Sequence, residues 1–394
     1  MREGWEYKTL GEVANVTDYV ANGSFATLRE NVHYLDKAGY AILVRLADYT
    51  NNFDSSRFVY IDEHAYTFLS KSKLYGGEII MSNVGSIGKS FICPKLSMPM
   101  SLAPNSIVIN TPNNKFYFYY FNSPSFQSSL KTISSKTALP KFNKTQFKSL
   151  SAPIPPLSEQ QRIVSELDLL SGVIEKKKAQ LKEYDQLAQP IFYDMFGDIY
   201  NTTFEVKSLN DICEFIKDGT HQTPIYTEDK EKGVKFLSAK DVIRGVINWE
   251  NIKYIPIELH KELHKRIAPK RNDLLLCKNG TTGICAIVET DDIFDIYVSL
   301  ALLRPYTPYC PKFLLYAINN PITKEQFDKS LKGVGVPNLH LGEIKKAIII
   351  YPPLSLQQSF AEKIEAIEHQ KALIQQSITE TETLFNSRMD YYFN

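Results

Sequence analysis

The chain has 394 residues, of which 43% are hydrophobic and 23% charged, and its formal net charge is +1 at pH 7. This length exceeds what one hydrophobic core usually supports, so we expect two domains, and the composition excludes a disordered or fibrous protein. Five cysteines without C-x-x-C spacing argue against a zinc site and against a disulfide framework. Because the sequence also shows no signal peptide and no apolar run of membrane-spanning length, we expect a cytoplasmic protein with no membrane partner.

The first globular segment, residues 1–152, alternates short apolar runs with polar turns. Asn22-Gly23 is a turn signal followed by small polar residues, and the apolar run 41–46 predicts a strand. Residues 77–88 predict a buried strand that ends in a G-x-x-G turn. A second polar loop, 134–144, precedes the first long helix. Turns and loops of this kind place polar side chains where they can reach a ligand.

The same segment contains a long stretch without acidic residues. Between Glu78 and Glu159 the chain has eight lysines and no aspartate or glutamate. A basic face of this kind fits a polyanion such as nucleic acid. A solvated basic surface without a ligand explains the same stretch, and this alternative stays open.

A long helix is predicted from residue 153 to 198. Ser158 and Gln161 form a capping box after two prolines, and no further proline occurs before Pro190. Apolar or aromatic residues recur at alternating steps of four and three, interrupted by Lys177, which gives a heptad seam that needs a partner. The seam positions are Ile163, Leu167, Leu170, Ile174, Lys177, Leu181, Tyr184, Ala188, Ile191 and Met195.

The second half of the chain repeats the first. Leu157 and Leu354 each follow two prolines and lie 197 residues apart, and this offset holds without a gap to Phe196 and Phe393. In the globular segment 199–350, Asp218-Gly219 matches Asn22-Gly23, and a second apolar strand again ends in a G-x-x-G turn. We infer an internal duplication, in which the helix 351–394 is the second copy and the partner of the first seam.

Known catalytic and metal motifs are missing. Gly88-Lys89-Ser90 resembles the end of a P-loop, but Asn83 stands where that motif needs glycine. His260 and His264 have the i, i+4 spacing of one helix face without the H-E-x-x-H pattern, so a surface helix is favoured over zinc. Pro155-Pro156 lacks the preceding Asn, Asp or Ser of amino-methyltransferases. We therefore expect a non-catalytic chain that binds no metal or cofactor.

The order of these elements resembles the specificity (S) subunit of Type I restriction-modification systems. The resemblance rests on IPPLSEQQRI and YPPLSLQQSF at the starts of the long helices, on the strand-turn IIMSNVGSIG with its LLLC counterpart, and on DGTHQTP. It covers essentially the whole chain. The second copy departs from the pattern where Glu159 and Arg162 are replaced by Leu356 and Ser359.

This resemblance implies an α/β (α+β) fold with two target-recognition domains and two long helices that pair as an antiparallel coiled coil. The corresponding divisions are 1–152, 153–198, 199–350 and 351–394. Each recognition domain would read one half of a bipartite target in double-stranded DNA, while the helices would set the spacing and dock two methyltransferase (M) subunits. The M subunits would carry S-adenosylmethionine, and restriction (R) subunits would join for cleavage.

DNA contacts require basic or polar side chains on loops that can enter a groove. The matching positions predict the following contact residues in the first domain: Asn22, Ser24, Arg29, Arg45, Ser82, Asn83, Lys89, Lys136, Lys141 and Lys144. In the second domain they predict Thr220, His221, Gln222, Thr223, Lys240, Lys278, Asn279, Thr281 and Asn338. Asp48 and Asp241 either accept from cytosine or cap a turn, and capping is favoured. The alternative function is a coiled-coil scaffold with two ligand-binding domains and no DNA role.

Overall fold

The structure, a computed structural model, describes residues 4–135, 137–243, 245–331 and 337–394. The chain forms two compact units, one made of Met1–Lys178 with Gln376–Asn394 and the other of Ala179–Gln375. This grouping differs from the division in chain order, because each unit combines one globular segment with a part of both long helices.

The first globular segment alternates short strands and helices, as expected for a mixed fold. They are β1 (Glu6–Thr9), α1 (Leu10–Val13), β2 (Asn15–Asp18), α2 (Phe25–Asn31), β3 (Ala41–Val44), α3 (Leu46–Thr50), β4 (Tyr60–Ile61), α4 (Glu63–Phe68), β5 (Lys73–Leu74), β6 (Ile79–Ser82), β7 (Ser90–Ile92), β8 (Met100–Leu102), β9 (Ser106–Asn110), α5 (Asn114–Phe121), α6 (Pro124–Ile133), α7 (Lys144–Lys148) and β10 (Ser151–Ile154).

Two four-stranded sheets form the body of this segment. One has the order β2-β9-β6-β7 and is antiparallel, and the other has the order β4-β3-β8-β5, in which β3 and β8 run parallel. Every residue of β6 is buried, as its continuous apolar run predicts. A separate pair of strands, β1 and β10, closes the segment just before the first long helix.

The long helices and the second globular segment follow in chain order. They are α8 (Leu157–Asp185), α9 (Ala188–Phe196), β11 (Val206–Ser208), α10 (Leu209–Ile212), β12 (Cys213–Asp218), β13 (Gly233–Leu237), β14 (Val242–Ile243), β15 (Val246–Ile247), β16 (Lys253–Pro256), α11 (Ile257–Arg266), β17 (Leu274–Cys277), β18 (Cys285–Ile287), β19 (Phe294–Ile296), β20 (Leu300–Pro305), α12 (Pro311–Ile318), α13 (Pro321–Lys329), α14 (Leu341–Lys346), β21 (Ile348–Ile350) and α15 (Leu354–Phe393).

The sheets of the second segment repeat those of the first, which confirms the duplication. The antiparallel order β12-β20-β17-β18 corresponds to β2-β9-β6-β7. In the other sheet, of order β16-β13-β19, β13 and β19 run parallel as β3 and β8 do. The pair of β11 and β21 closes this segment as β1 and β10 close the first.

Strand register corrects one correspondence between the two copies. Asp18 pairs with Ile107, the second residue of β9, and Asp218 pairs with Ala301, the second residue of β20. Asp18 is therefore the counterpart of Asp218, whereas the sequence comparison placed Asn22 there. The turn signals N-G and D-G misled that comparison because they occupy different positions relative to the strand end.

In the first unit, α8 lies antiparallel to the C-terminal part of α15. Arg388 donates to Glu166, and Lys177 donates to Ser377, so residue numbers rise along α8 as they fall along α15. In addition, α15 supplies a buried methionine and two buried aromatic residues to the core of this unit. They are Met389, Tyr392 and Phe393.

In the second unit, α9 packs against the N-terminal part of α15. The ring centroid of Phe192 lies 5.5 Å from that of Phe360 and 5.8 Å from that of Phe313 on α12. Lys371 forms an ion pair with Asp185 at 2.5 Å. These contacts again run antiparallel, and they tie the helices into the same core as the strands.

The central helix is interrupted, which corrects the prediction of one continuous helix. The chain leaves the helix at Gln186 and Leu187, whose amides donate to carbonyls three residues back, and α9 then begins at Ala188. Pro190 explains the position, because its ring clashes with the carbonyl four residues earlier and it has no amide hydrogen. The C-terminal copy has Ser387 at the matching position, and α15 is continuous there.

Burial follows the predicted seam. All ten seam positions from Ile163 to Met195 are buried or partly buried. Phe192 and Phe196 are more deeply buried than the seam residues beside them, because α9 enters the core of the second unit.

The five cysteines are free and buried. Across the described residues, no helix combines the length and apolar character needed to cross a bilayer.

Candidate nucleic-acid interface

In the first segment, the turn after β6 is joined to the second polar loop. Val84 and Lys141 form an isolated antiparallel bridge, and the amide of Gly85 donates to the carbonyl of Pro140 at 2.9 Å. Gly85 has a φ of +75°, which favours glycine at this point of the turn. Two loops that are far apart in the sequence thus form one surface.

The second segment has the same arrangement at matching positions. Asn279 and Asn338 form an isolated antiparallel bridge, and the amide of Leu339 donates to the carbonyl of Lys278 at 2.9 Å. Gly280 has a φ of +75°. The structure therefore joins, in both copies, the G-x-x-G turn to residues just before a short helix, which is α7 in the first segment and α14 in the second.

A buried aspartate at the end of an outer strand anchors each site. In the first segment, the ammonium of Lys144 lies 2.9 Å from a carboxylate oxygen of Asp18. In the second, Asp218 accepts from Lys278 at 2.7 Å and from Arg266 at 3.2 Å. The two lysines come from different loops, so the duplication preserves an ion pair to a buried aspartate without preserving its donor.

The electrostatics of the second anchor favour its charged form. Burial raises the pKa of Asp218, but the Lys278 ammonium and the nearby His221 ring outweigh burial, so the pKa of this carboxyl lies below its ordinary value. The ammonium of Lys278 is itself buried and depends on this carboxylate for its neutralisation. The pair holds the turn after β17 against the loop that follows β12.

Asp48 and Asp241 cap turns, as favoured from the sequence. Asp48 accepts from the amide of Arg45 at 2.8 Å, and Asp241 accepts from the amide of Ser238 at 2.7 Å. Asp48 also binds the guanidinium of Arg45, with the closest pair of atoms 2.6 Å apart. The guanidinium is therefore held in one orientation by the protein.

The turn after β6 borders a cleft of about 360 Å³. Its wall includes Ser82 at the end of β6, Arg45 just after β3, and Asn105 between β8 and β9. The amide of Asn83 donates to the carbonyl of Asn105 at 3.1 Å, which fixes this edge of the cleft. The first segment thus presents polar groups around a concave surface beside the turn and loop.

The predicted contact residues differ in exposure. The exposed ones are Ser24, Arg29, Lys89, Lys141, His221, Gln222, Thr223, Lys240 and Thr281. The partly buried ones are Asn22, Arg45, Asn83, Lys144, Thr220, Asn279 and Asn338, and the buried ones are Ser82 and Lys278. Lys136 lies outside the described residues.

Several predicted contact residues use their polar atoms inside the protein. The side-chain amide of Asn22 donates to the hydroxyl of Ser72 at 2.9 Å. The side-chain amide of Asn83 donates through Nδ2 to the carbonyl of Phe142 at 3.3 Å, while its Oδ1 is buried and has no donor among the described residues. In this structure these side chains shape the loops instead of facing solvent.

Sequence reasoning missed Asp18, Asp218 and Arg266 as parts of the two sites. Asp218 stands within DGTHQTP, and the signal available was an acidic residue at the end of an apolar strand in a basic region. Its partners are 48 and 60 residues away in sequence, so only the fold identifies them.

Three kinds of comparison place the chain among known proteins. A family model described as the Type I restriction modification DNA specificity domain matches residues 2–183 and 201–383, one match for each copy. The EcoBI specificity subunit of Escherichia coli is 20% identical over 93% of this chain and 80% of its own length. The MjaIX specificity subunit of Methanocaldococcus jannaschii is 23% identical over 92% of this chain and 86% of its own length.

Solved structures share the fold. An S subunit from M. genitalium aligns with a TM-score of 0.53 at 12% identity, covering 98% of this chain and 95% of that one. A chain from a structural study of assembly and conformational transition in the type I R-M system aligns with a TM-score of 0.61 at 16% identity, covering 100% and 98%. Since the family model matches both copies, the chain belongs to the family of Type I restriction-modification specificity subunits.

Proposed function

We propose that each globular segment of this specificity subunit reads one half of a bipartite DNA target. The observation that carries the proposal is the repeated joining of a G-x-x-G turn to a second polar loop, through Val84 and Lys141 in one copy and Asn279 and Asn338 in the other. A protein with two such sites suits a target with two separated parts.

The exposed residues divide into two roles. Lys89 and Lys141 carry positive charge beside the first site and suit phosphate contacts, which add affinity without sequence preference. Gln222, Thr223 and Thr281 are exposed polar side chains at the second site and suit base edges in a groove. The proposal assigns specificity to the second group and register to the first.

The long helices supply the other half of the proposed function. We propose that their pairing sets the distance between the half-sites and that their outer faces dock two M subunits. The M subunits would bind S-adenosylmethionine and methylate adenine, R subunits would join for cleavage, and the complex would act in the cytoplasm. The specificity subunit would contribute recognition and no chemistry.

Label transfer from S-adenosylmethionine tests this division of labour. The purified chain, its cognate M subunit and the mixture are each incubated with duplex DNA and labelled cofactor. We expect label in DNA only from the mixture. The chain lacks cofactor motifs, and the M subunit alone lacks the recognition domains. Transfer by the purified chain free of M subunit would refute the non-catalytic assignment.

A further inference from the structure

Two histidines and a buried aspartate meet in the second segment, where α11 packs on β19. Nδ1 of His260 lies 2.7 Å from one carboxylate oxygen of Asp295, and Nδ1 of His264 lies 3.3 Å from the other. The side chain of Asp295 is 2% exposed, whereas those of His260 and His264 are 13% and 31% exposed. The cluster is thus enclosed on the protein side and open to solvent on one side.

Local structure explains why these groups converge. His260 and His264 are one helical turn apart on α11, so their rings share a face, with centroids 4.7 Å apart. Asp295 is the middle residue of β19, and α11 packs across this strand. The sequence predicted a surface helix, and α11 indeed has no buried residue. It could not reveal Asp295, which comes 31 residues after His264.

Three charged residues of α11, Glu258, Lys261 and Arg266, have partners other than Asp295. Arg266 donates to Asp218 and to the carbonyl of Gly219, both at 3.2 Å. Lys261 pairs with Glu258 at 2.8 Å. The carboxylate of Asp295 therefore has the two imidazoles as its side-chain partners, with no lysine or arginine bonded to it in the described part of the chain.

We propose that His260, His264 and Asp295 bind one zinc ion or a similar divalent transition metal. Two imidazole nitrogens and one carboxylate oxygen form a ligand set that zinc accepts, with water in the fourth position. One ligand atom from each residue lies within 4.8 Å of the others, close enough for small side-chain rotations to place a single ion between them. Binding would release any proton held on the two coordinating nitrogens.

A metal bound by these three residues would stabilise the neighbouring loop that begins at Gly219. The strand β19 continues into Tyr297, which bridges to Thr220, and the amide of Thr220 donates to the carbonyl of Ile296 at 3.1 Å. At the C-terminal end of α11, the guanidinium of Arg266 donates to the carbonyl of Gly219. A metal that joins α11 to β19 would therefore brace the loop beginning at Gly219, which the proposed function assigns to recognition.

The first segment offers a matched control. By strand register, Ser101 takes the place of Asp295, since it pairs with Leu43 of β3 as Asp295 pairs with Phe236 of β13. His64, which matches His260 in sequence, bonds to Asn31 at 3.0 Å. Within the described ranges, the proposed metal site therefore has no counterpart in the first copy.

Metal binding is measured on the full chain, freed of metal by chelation and titrated with Zn²⁺ by calorimetry and with Co²⁺ by visible absorption. We expect one strong site per chain. His264→Gln and Asp295→Asn should lower the affinity by more than the roughly 10–100-fold typical of losing an outer-shell partner. His64→Gln should leave the affinity unchanged.

Absence of a one-to-one site in the wild-type chain would overturn the proposal, as would unchanged affinity in His264→Gln. Circular dichroism establishes that each variant is folded, and His264→Gln decides the outcome if Asp295→Asn unfolds, because His264 is the most exposed of the three ligands. The titration needs no DNA, so failure of the metal site and failure of the proposed recognition function are separate results.

Discussion

Lys141 illustrates how a single side chain at the loop surface can serve DNA binding. It is exposed, and its backbone is held by the bridge to Val84. If its ammonium contacts a phosphate, Lys141→Ala should weaken binding to every duplex and reduce the slope of log K against log salt by about 0.9. Fluorescence anisotropy across a salt series measures this slope.

Lys115→Ala is the control for this experiment, because it removes the same charge from an ion pair with Asp168. Its slope should match that of the wild type. If Lys141→Ala also leaves the slope unchanged, Lys141 does not contact phosphate.

Asp218 links the second site to pH. Because its pKa is lowered in the folded protein, the charged form contributes stability above about pH 4 that is lost as the pH falls through the folded pKa. Asp218→Asn leaves the buried ammonium of Lys278 without its carboxylate and should cost about 3–5 kcal/mol in the free energy of unfolding at neutral pH.

Urea unfolding of the wild type and the variant at pH 7 and pH 3.5 measures both effects. The deficit of the variant should shrink at the lower pH, since the unfolded wild-type chain takes up a proton on Asp218 more readily than the folded chain, which destabilises the wild type. Asp229→Asn, at an exposed ion pair, should lie close to the wild type. A deficit for Asp218→Asn that is equal at the two pH values would contradict the assigned pKa direction.

Single residues also show where sequence reasoning ends. The capping roles of Asp48 and Asp241 were predictable because a cap and its partner amide are three residues apart. The meeting of His264 with Asp295 was not, since nothing local relates a histidine on a helix to an aspartate on a later strand. Asn83 was predicted to contact DNA. Its exposure depends on the path of the loop 134–144, because its side chain bonds to Phe142 of that loop.

Heptad burial on α8 can be tested with two leucines of the same helix. Leu167 is 0% exposed, and Leu169 is 68% exposed. Leu167→Ala should reduce the free energy of unfolding by about 2–5 kcal/mol because it leaves a cavity in the core of the first unit. Leu169→Ala should change it by no more than about 0.5 kcal/mol. Equal losses in denaturant unfolding would show that the seam is misplaced.

If the long helices act as a spacer, lengthening α8 should lengthen the gap between the two DNA half-sites. Four residues inserted after Ile174 add about 6 Å to α8, and two base pairs of DNA span about 7 Å. We expect a longer unspecified gap between unchanged half-sites, determined by sequencing methylated DNA. The same four residues inserted after Asn251, in the exposed turn between β15 and β16, should leave the gap unchanged. Active protein with an unaltered gap in both variants would exclude the spacer role.

Helices and strands were predicted best where the spacing of their hydrophobic residues indicated them. The seam from Ile163 to Met195 marked the buried face of the central helix, and the apolar run 79–81 marked β6. The break before Pro190 was missed because the prediction treated this proline as a late position in one helix. Its steric effect reaches back to residue 186, where the helix ends its regular hydrogen bonding.

At the scale of the whole molecule, the duplication was readable because the offset of 197 residues runs through both long helices without a gap. The grouping into compact units was not readable, because it depends on contacts between the start of α8 and the end of α15. The sequence also misplaced the counterpart of Asp218, which is Asp18 and not Asn22. Loops tolerate insertions that strands do not, so similarity in a turn does not fix its position in a sheet.

Sequencing of DNA methylated by this chain with its cognate M subunit tests the central claim most directly. The wild type should modify a target with two defined parts separated by a gap of constant length. A Gln222→Ala, Thr281→Ala double variant in the second segment should alter one part and leave the other part and the gap unchanged. Methylation without a shared split sequence, or a double variant that alters both parts, would contradict recognition by two independent domains.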